Sequence, residues 1–148
     1  MSILSRSGLP ILALLLAGPT WGQAADSRAL LGRPVLALAQ HEGVASVLAT
    51  ATGGARGAVS RRLRESGPGL ALLGDRYVYG WGCGDAGCAA GGIFLAQDFI
   101  GGRIYLLLLE DGRTRLAVPP SPAGWPPELA VAMRGFDSIR ADQIAGPN

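Results

Sequence analysis

The spacing of apolar residues changes character along this chain, and each change predicts a different kind of element. Over residues 26–50, Leu30, Leu31, Val35, Leu38 and Ala39 recur at helical spacing, and Val44, Val47 and Leu48 continue the stripe until Gly53-Gly54. Asp26 or Ser27 is suited to cap the start, because its side-chain oxygen accepts from first-turn amides. Pro34 kinks or restarts this helix, since proline lacks an amide hydrogen and collides with the preceding turn. Residues 53–69 are rich in Gly and Arg, with one or two helical turns expected over 60–65 and loop chemistry at Ser66-Gly67-Pro68-Gly69.

From Leu70 to Val118 the pattern is that of strands. Segments 70–73 and 76–82 are joined by Gly74-Asp75, and Gly accepts the positive φ that a type II′ turn needs at its first position. Tyr77, Tyr79 and Trp81 alternate onto one face, with Val78 and Gly80 on the other. Segments 93–100 and 103–110 pair across Gly101-Gly102, and Asp111-Gly112 turns the chain into 113–118, where Leu116 and Val118 are expected to share a face with Thr114. The run Ile104-Tyr105-Leu106-Leu107-Leu108-Leu109 is apolar at every position, which predicts a strand covered on both faces. Pro119-Pro120-Ser121-Pro122 stops the sheet, Trp125-Pro126-Pro127-Glu128 opens a short helix through Met133, and Gly135 ends it. The expected fold is α+β: a central antiparallel sheet of about five strands flanked by an N-terminal helix and a short C-terminal helix.

Residues 1–24 read as a secretory signal peptide. Arg6 is the basic n-region, the run from Leu9 to Ala17 is a short apolar core, and Gly22-Gln23-Ala24 supplies small residues for cleavage. That run is too short to cross ~30 Å of hydrocarbon, so stable membrane insertion is not expected. The domain then covers 25–136, followed by a loose tail over 137–148 where apolar residues are few. Export implies the periplasm or the cell exterior. The remaining chain of about 124 residues has the length of one domain and can bury a core without disulfide support.

All 13 basic residues are Arg, set against 11 acids, so the charge is nearly balanced and gives no clustered footprint for nucleic acid. Arg56, Arg61, Arg62 and Arg64 could meet an anionic surface or an acidic partner, but a solvated helix face or linker is the simpler expectation. Asp98 and Glu110 lie near hairpin ends, where solvent exposure is expected, and their separation decides whether they could act as a carboxylate pair. His41 has no nucleophile or metal motif beside it, and the glycines at 53–57 do not form a phosphate-binding loop. The aromatic row of 77, 79 and 81 suits either sheet core or a sugar-stacking platform. No catalytic residue, cofactor fingerprint or metal set emerges.

The most distinctive motif is Cys83-Gly84-Asp85-Ala86-Gly87-Cys88, which holds both cysteines of the chain. In an oxidising compartment a Cys83–Cys88 disulfide is the favoured reading. Zinc would require further soft ligands, and the single histidine, His41, is far off in sequence. A catalytic dithiol ordinarily uses the C-x-x-C spacing. A bridge across four residues fixes a displayed loop more than it holds a fold together, and displayed loops bind partners.

Several motifs occur together in a known order. A Gly-containing turn, Arg76-Tyr77-Val78-Tyr79-Gly80-Trp81-Gly82, the C-x4-C ring, Ile93-Phe94-Leu95, a meander and a Trp-Pro start to the last helix resemble the inhibitor of vertebrate lysozyme (Ivy) family. The resemblance implies a secreted, often periplasmic, non-enzymatic protein that commonly acts as a homodimer. It also implies a binding loop over 83–88 that plugs the cleft of a c-type lysozyme or related muramidase. In that family the loop commonly reads Cys-Lys-Pro-His-Asp-Cys, and its His and Asp engage the catalytic carboxylates. Here the ring carries only Asp85 as a strong polar side chain, and an acid facing two carboxylates is repelled unless one is protonated. A cell-envelope interaction protein on the same scaffold, without lysozyme inhibition, is the alternative expectation.

Overall fold

The computed structural model describes residues 26–147, and the expected signal segment lies outside the described residues. Five strands form one antiparallel sheet in sequential order: β1 (Ala71–Leu73), β2 (Tyr77–Cys83), β3 (Gly91–Asp98), β4 (Arg103–Glu110) and β5 (Arg113–Val118). Helices α1 (Val35–Gln40), α2 (Glu42–Ala51) and α3 (Arg56–Arg62) precede the sheet, and α4 (Leu129–Met133) and α5 (Ser138–Ala145) follow it. The fold is α+β, as the sequence pattern indicates.

Strand alternation divides the core into two layers. Val78, Ile93, Leu95, Ile104, Leu106 and Leu108 face α1–α3 and pack with Val35, Leu38, Val44, Leu48, Val59 and Leu63. Tyr77, Phe94, Tyr105, Leu107 and Leu109 face the other way, against Trp125, Leu129, Met133, Phe136 and Ile144. Every residue of β3 is buried, as are residues 104–109 of β4, because helices cover both faces there. Trp125 seats the chain on the sheet by donating from Nε1 to the Pro119 carbonyl at 3.0 Å and meeting Tyr105 edge-on at 5.4 Å.

Several expectations are corrected. The first helical stretch is broken into pieces: a 3₁₀ turn over Ser27–Leu30, then α1 starting just after Pro34, then α2 after an extended residue at His41 (ψ 135°). Leu73 pairs with Tyr77, so the first hairpin has a three-residue loop, with Gly74 at φ +54°. Asp98 pairs with Arg103, which leaves a four-residue loop in place of the Gly-Gly turn. Leu116 pairs with Leu108, but Thr114 pairs with Leu109, because a bulge at Arg115 takes up one residue. Thr114 therefore points to the opposite face from Leu116 and Val118. The segment after Asp137 is a helix and not a loose tail: the Asp137 carboxylate caps it by accepting from Ile139 N (2.9 Å) and Arg140 N (3.2 Å), and Ala141 and Ile144 are buried.

Candidate functional site: a disulfide-closed ring between β2 and β3

Cys83 ends β2 and Cys88 lies three residues before β3, and the two form a disulfide with their Cα atoms 4.5 Å apart. The zinc and dithiol readings are thereby set aside. Both cysteines are half-buried against the aromatic layer, whereas Asp85, Ala86 and Gly87 are exposed at the tip. Main-chain bonds fix the ring's shape: Gly87 N donates to Gly84 O (3.0 Å), Gly91 N to Gly87 O (3.1 Å) and Gly84 N to Gly91 O (2.9 Å). Gly87 has φ +95°, a conformation that strains residues with a Cβ. The base is tied to neighbouring segments by Cys83 N donating to Ser66 O (2.8 Å) and by Gly112 N donating to Ala90 O (2.9 Å).

Beneath the ring lies Arg62, with a side chain only 17% exposed. Its Nη1 donates to both carboxylate oxygens of Glu65 (2.9 and 3.0 Å), and its Nε donates to Glu110 Oε1 (3.1 Å). Glu110 also accepts from Arg61 (2.8 Å) and Arg115 (3.2 Å), so three guanidinium groups converge on it. Burial pushes the Glu110 carboxyl up, but the bonds from Arg62 and Arg61 outweigh it and hold the group below its usual value. Burial likewise opposes the charge on Arg62, yet Glu65 and Glu110 hold its pKa above normal.

The sequence places Arg62 there by means of glycine. Gly80 and Gly82 face the helical layer, where a Cβ on Gly82 would lie 2.7 Å from the Arg62 carbonyl oxygen and 3.0 Å from that of Glu65. A Cβ on Gly84 would lie 2.7 Å from Arg62 Nη1, and one on Gly91 would collide with the same guanidinium. The end of α3 thus lies directly on the sheet at the ring's root. Arg62, Asp85 and Asp111 share a polar recess of about 200 Å³ with the ring backbone. Arg62 is therefore no solvated linker residue, and its role was missed because its partner Glu110 is 48 residues away. The row of glycines at 80, 82 and 84 was the available sequence signal for a close approach.

The other candidates separate. Asp98 is 1% exposed, contrary to the expected solvent exposure. It accepts from Ile100 N (3.0 Å), Gly101 N (2.7 Å) and Arg76 (2.8 and 3.0 Å). Burial pushes this carboxyl up, but these bonds prevail and lower it. Asp98 and Glu110 sit at opposite ends of the β3–β4 pair, so they do not form a carboxylate pair. Tyr77 is core: burial and a hydrogen bond to Glu128 raise its pKa to about 12. Tyr79 and Trp81 are half-buried and stacked with centroids 6.2 Å apart. His41 is half-buried at the α1–α2 break. Among the described residues no group of three His, Cys, Asp or Glu side chains could hold a metal ion, and no helix is long and apolar enough to cross a membrane.

Comparison with known proteins found no match among curated proteins and none among solved structures. A family model described as inhibitor of vertebrate lysozyme (Ivy) matches residues 43–138, a span that holds all five strands, the ring, Arg62 and Glu110. With more than half of the chain matched, this protein belongs to the inhibitor of vertebrate lysozyme family.

Proposed function

We propose that the chain is exported through cleavage after Ala24 and acts in the periplasm as a non-catalytic inhibitor that presents residues 83–88 to the cleft of a lysozyme-type muramidase. The observation that carries this reading is the closed ring, with an exposed tip at Asp85, Ala86 and Gly87 and a root bonded through its main chain to Ser66 and Gly91, against which the Arg62 guanidinium lies. A loop already fixed before contact loses little conformational freedom on insertion, so more of its contact energy appears as affinity. The mechanism is steric plugging, with ring backbone groups and Asp85 making the polar contacts. Arg62 lines the same recess as Asp85, but its charge is committed to Glu65 and Glu110, so an Asp85 contact requires a protonated carboxyl in the cleft.

Titration of the purified protein against c-type, g-type and i-type lysozymes tests the reading. Stoichiometric inhibition of at least one type is expected, weakened by Asp85→Ala and by the Cys83→Ser, Cys88→Ser pair. Failure to inhibit any of them at micromolar concentration overturns it in favour of a cell-envelope interaction role. Homodimerisation belongs to the same proposal and is read by sedimentation of the same sample.

A further inference from the structure

Among α1, α2 and α3 lies an apolar groove of about 370 Å³, within the range of small-molecule pockets, with its floor formed by the outer edge of the helical core layer. Leu36 and Ala39 of α1, Leu48 of α2, and Val59 and Leu63 around α3 line it. Arg56, Ser60 and Arg64 follow one another at four-residue intervals along one edge, so they form a single polar stripe beside the apolar floor. Among the described residues no acid lines the groove. The two arginines differ from those at the ring. Arg56 donates to the Ala49 carbonyl (2.7 Å) and Arg64 to the Ser60 carbonyl (2.7 Å) and hydroxyl, and among the described residues neither meets a carboxylate. Each guanidinium carries five donors, so most remain free for a ligand.

We infer that this groove binds a free single-chain anionic amphiphile of the fatty-acid type, with the alkyl chain between α2 and α3 and the carboxylate on the Arg56–Ser60–Arg64 edge. The charge of the edge selects an anion. Away from the arginine edge the lining's polar side chains are Gln40 and Thr52 alone, so the regularly spaced N–H and C=O groups of a peptide would find few partners, which favours an alkyl chain. The Thr52 hydroxyl, also in the lining, is already committed to the Leu48 carbonyl at 2.7 Å.

Calorimetric titration of the purified protein with monomeric octanoate, decanoate and dodecanoate tests this. Affinity should rise about fourfold per added methylene, and decanol should bind at least tenfold more weakly than decanoate. Arg56→Gln with Arg64→Gln should erase that tenfold difference. Ala49→Trp, at an exposed position on the groove wall, should abolish binding of both ligands while leaving the thermal midpoint and lysozyme inhibition unchanged. Amide NMR shifts on adding decanoate should concentrate in residues 36–64. Affinity independent of chain length, an unaltered decanoate isotherm in the double Gln variant, or shifts centred elsewhere would each overturn the inference. So would binding of anionic vesicles, an acidic peptide or a second copy of the chain at this groove without binding of decanoate.

Discussion

Replacing Arg62 with Met tests whether the ring is held by the scaffold beneath it. Methionine keeps the first part of the aliphatic stem, so the change removes the charge, its hydrogen bonds and the guanidinium that lies against Gly84 and Gly91. Three charge-assisted contacts are lost: two to Glu65 and one to Glu110. A fully buried pair that loses one partner costs about 3–5 kcal/mol, and an exposed pair costs below about 1 kcal/mol. Glu65 and Glu110 are 24% and 17% exposed, and Glu110 keeps Arg61 and Arg115, both largely in solvent. An intermediate loss of about 2 kcal/mol is therefore expected. Urea unfolding followed by tryptophan fluorescence reads it. The loss should also shrink at acid pH. Glu110 titrates below its unfolded value, so its stabilisation is present above the unfolded pKa of 4.5 and disappears as pH falls through the lower folded pKa. Hydrogen exchange at Gly84, Gly87 and Gly91 should accelerate more than exchange in β4. A loss under about 0.5 kcal/mol, with ring exchange unchanged, would show that Arg62 is an ordinary surface pair and would refute the idea of a braced ring.

Gly82→Ala should destabilise by about 1–3 kcal/mol, because its Cβ would meet two main-chain carbonyls that cannot step aside; chemical denaturation checks it, and a neutral result would mean that the 62–65 segment is loosely seated. Changing Cys83 and Cys88 together to Ser should cost about 2 kcal/mol and leave the domain folded, since the closed loop is short; circular dichroism and thermal melts decide. For Asp98→Asn a loss of about 1–3 kcal/mol is expected near neutral pH, as the Arg76 contacts are lost while the loop amides keep an acceptor. Because the folded Asp98 pKa is depressed, that difference should be full above pH of about 4 and fade as pH falls further; a pH-independent difference would refute the assignment.

The strands and the ring were legible because their signals are local. Period-two alternation, an Asp-Gly turn and paired cysteines each act within a few residues, and β4 announced its position by being apolar on both faces. What escaped depends on contacts far apart in sequence. The break at His41 falls on a residue that is neither proline nor glycine, and it lets Val35 and Leu38 of α1 and Val44 and Leu48 of α2 enter the same core layer. The last helix looked polar because it buries only Ala141 and Ile144, and its cap at Asp137 was the overlooked cue. Asp98 looked solvent-exposed at a hairpin end, yet the four-residue loop folds its amides back onto the carboxylate and Arg76 closes over it. Arg62 looked like its neighbours 56, 61 and 64 because charge alone carries no address. Only the register of Gly91 opposite Glu110 and the glycine face of β2 bring the guanidinium under the ring.

Hydrogen–deuterium exchange of the protein, alone and saturated with an inhibited lysozyme, tests the central claim most directly. If the ring is the plug, protection on binding concentrates in residues 84–88 and in the adjoining turn at Asp111-Gly112, with α1 and α2 unchanged. Protection confined to other surfaces, with the ring amides exchanging as in the free protein, would contradict it.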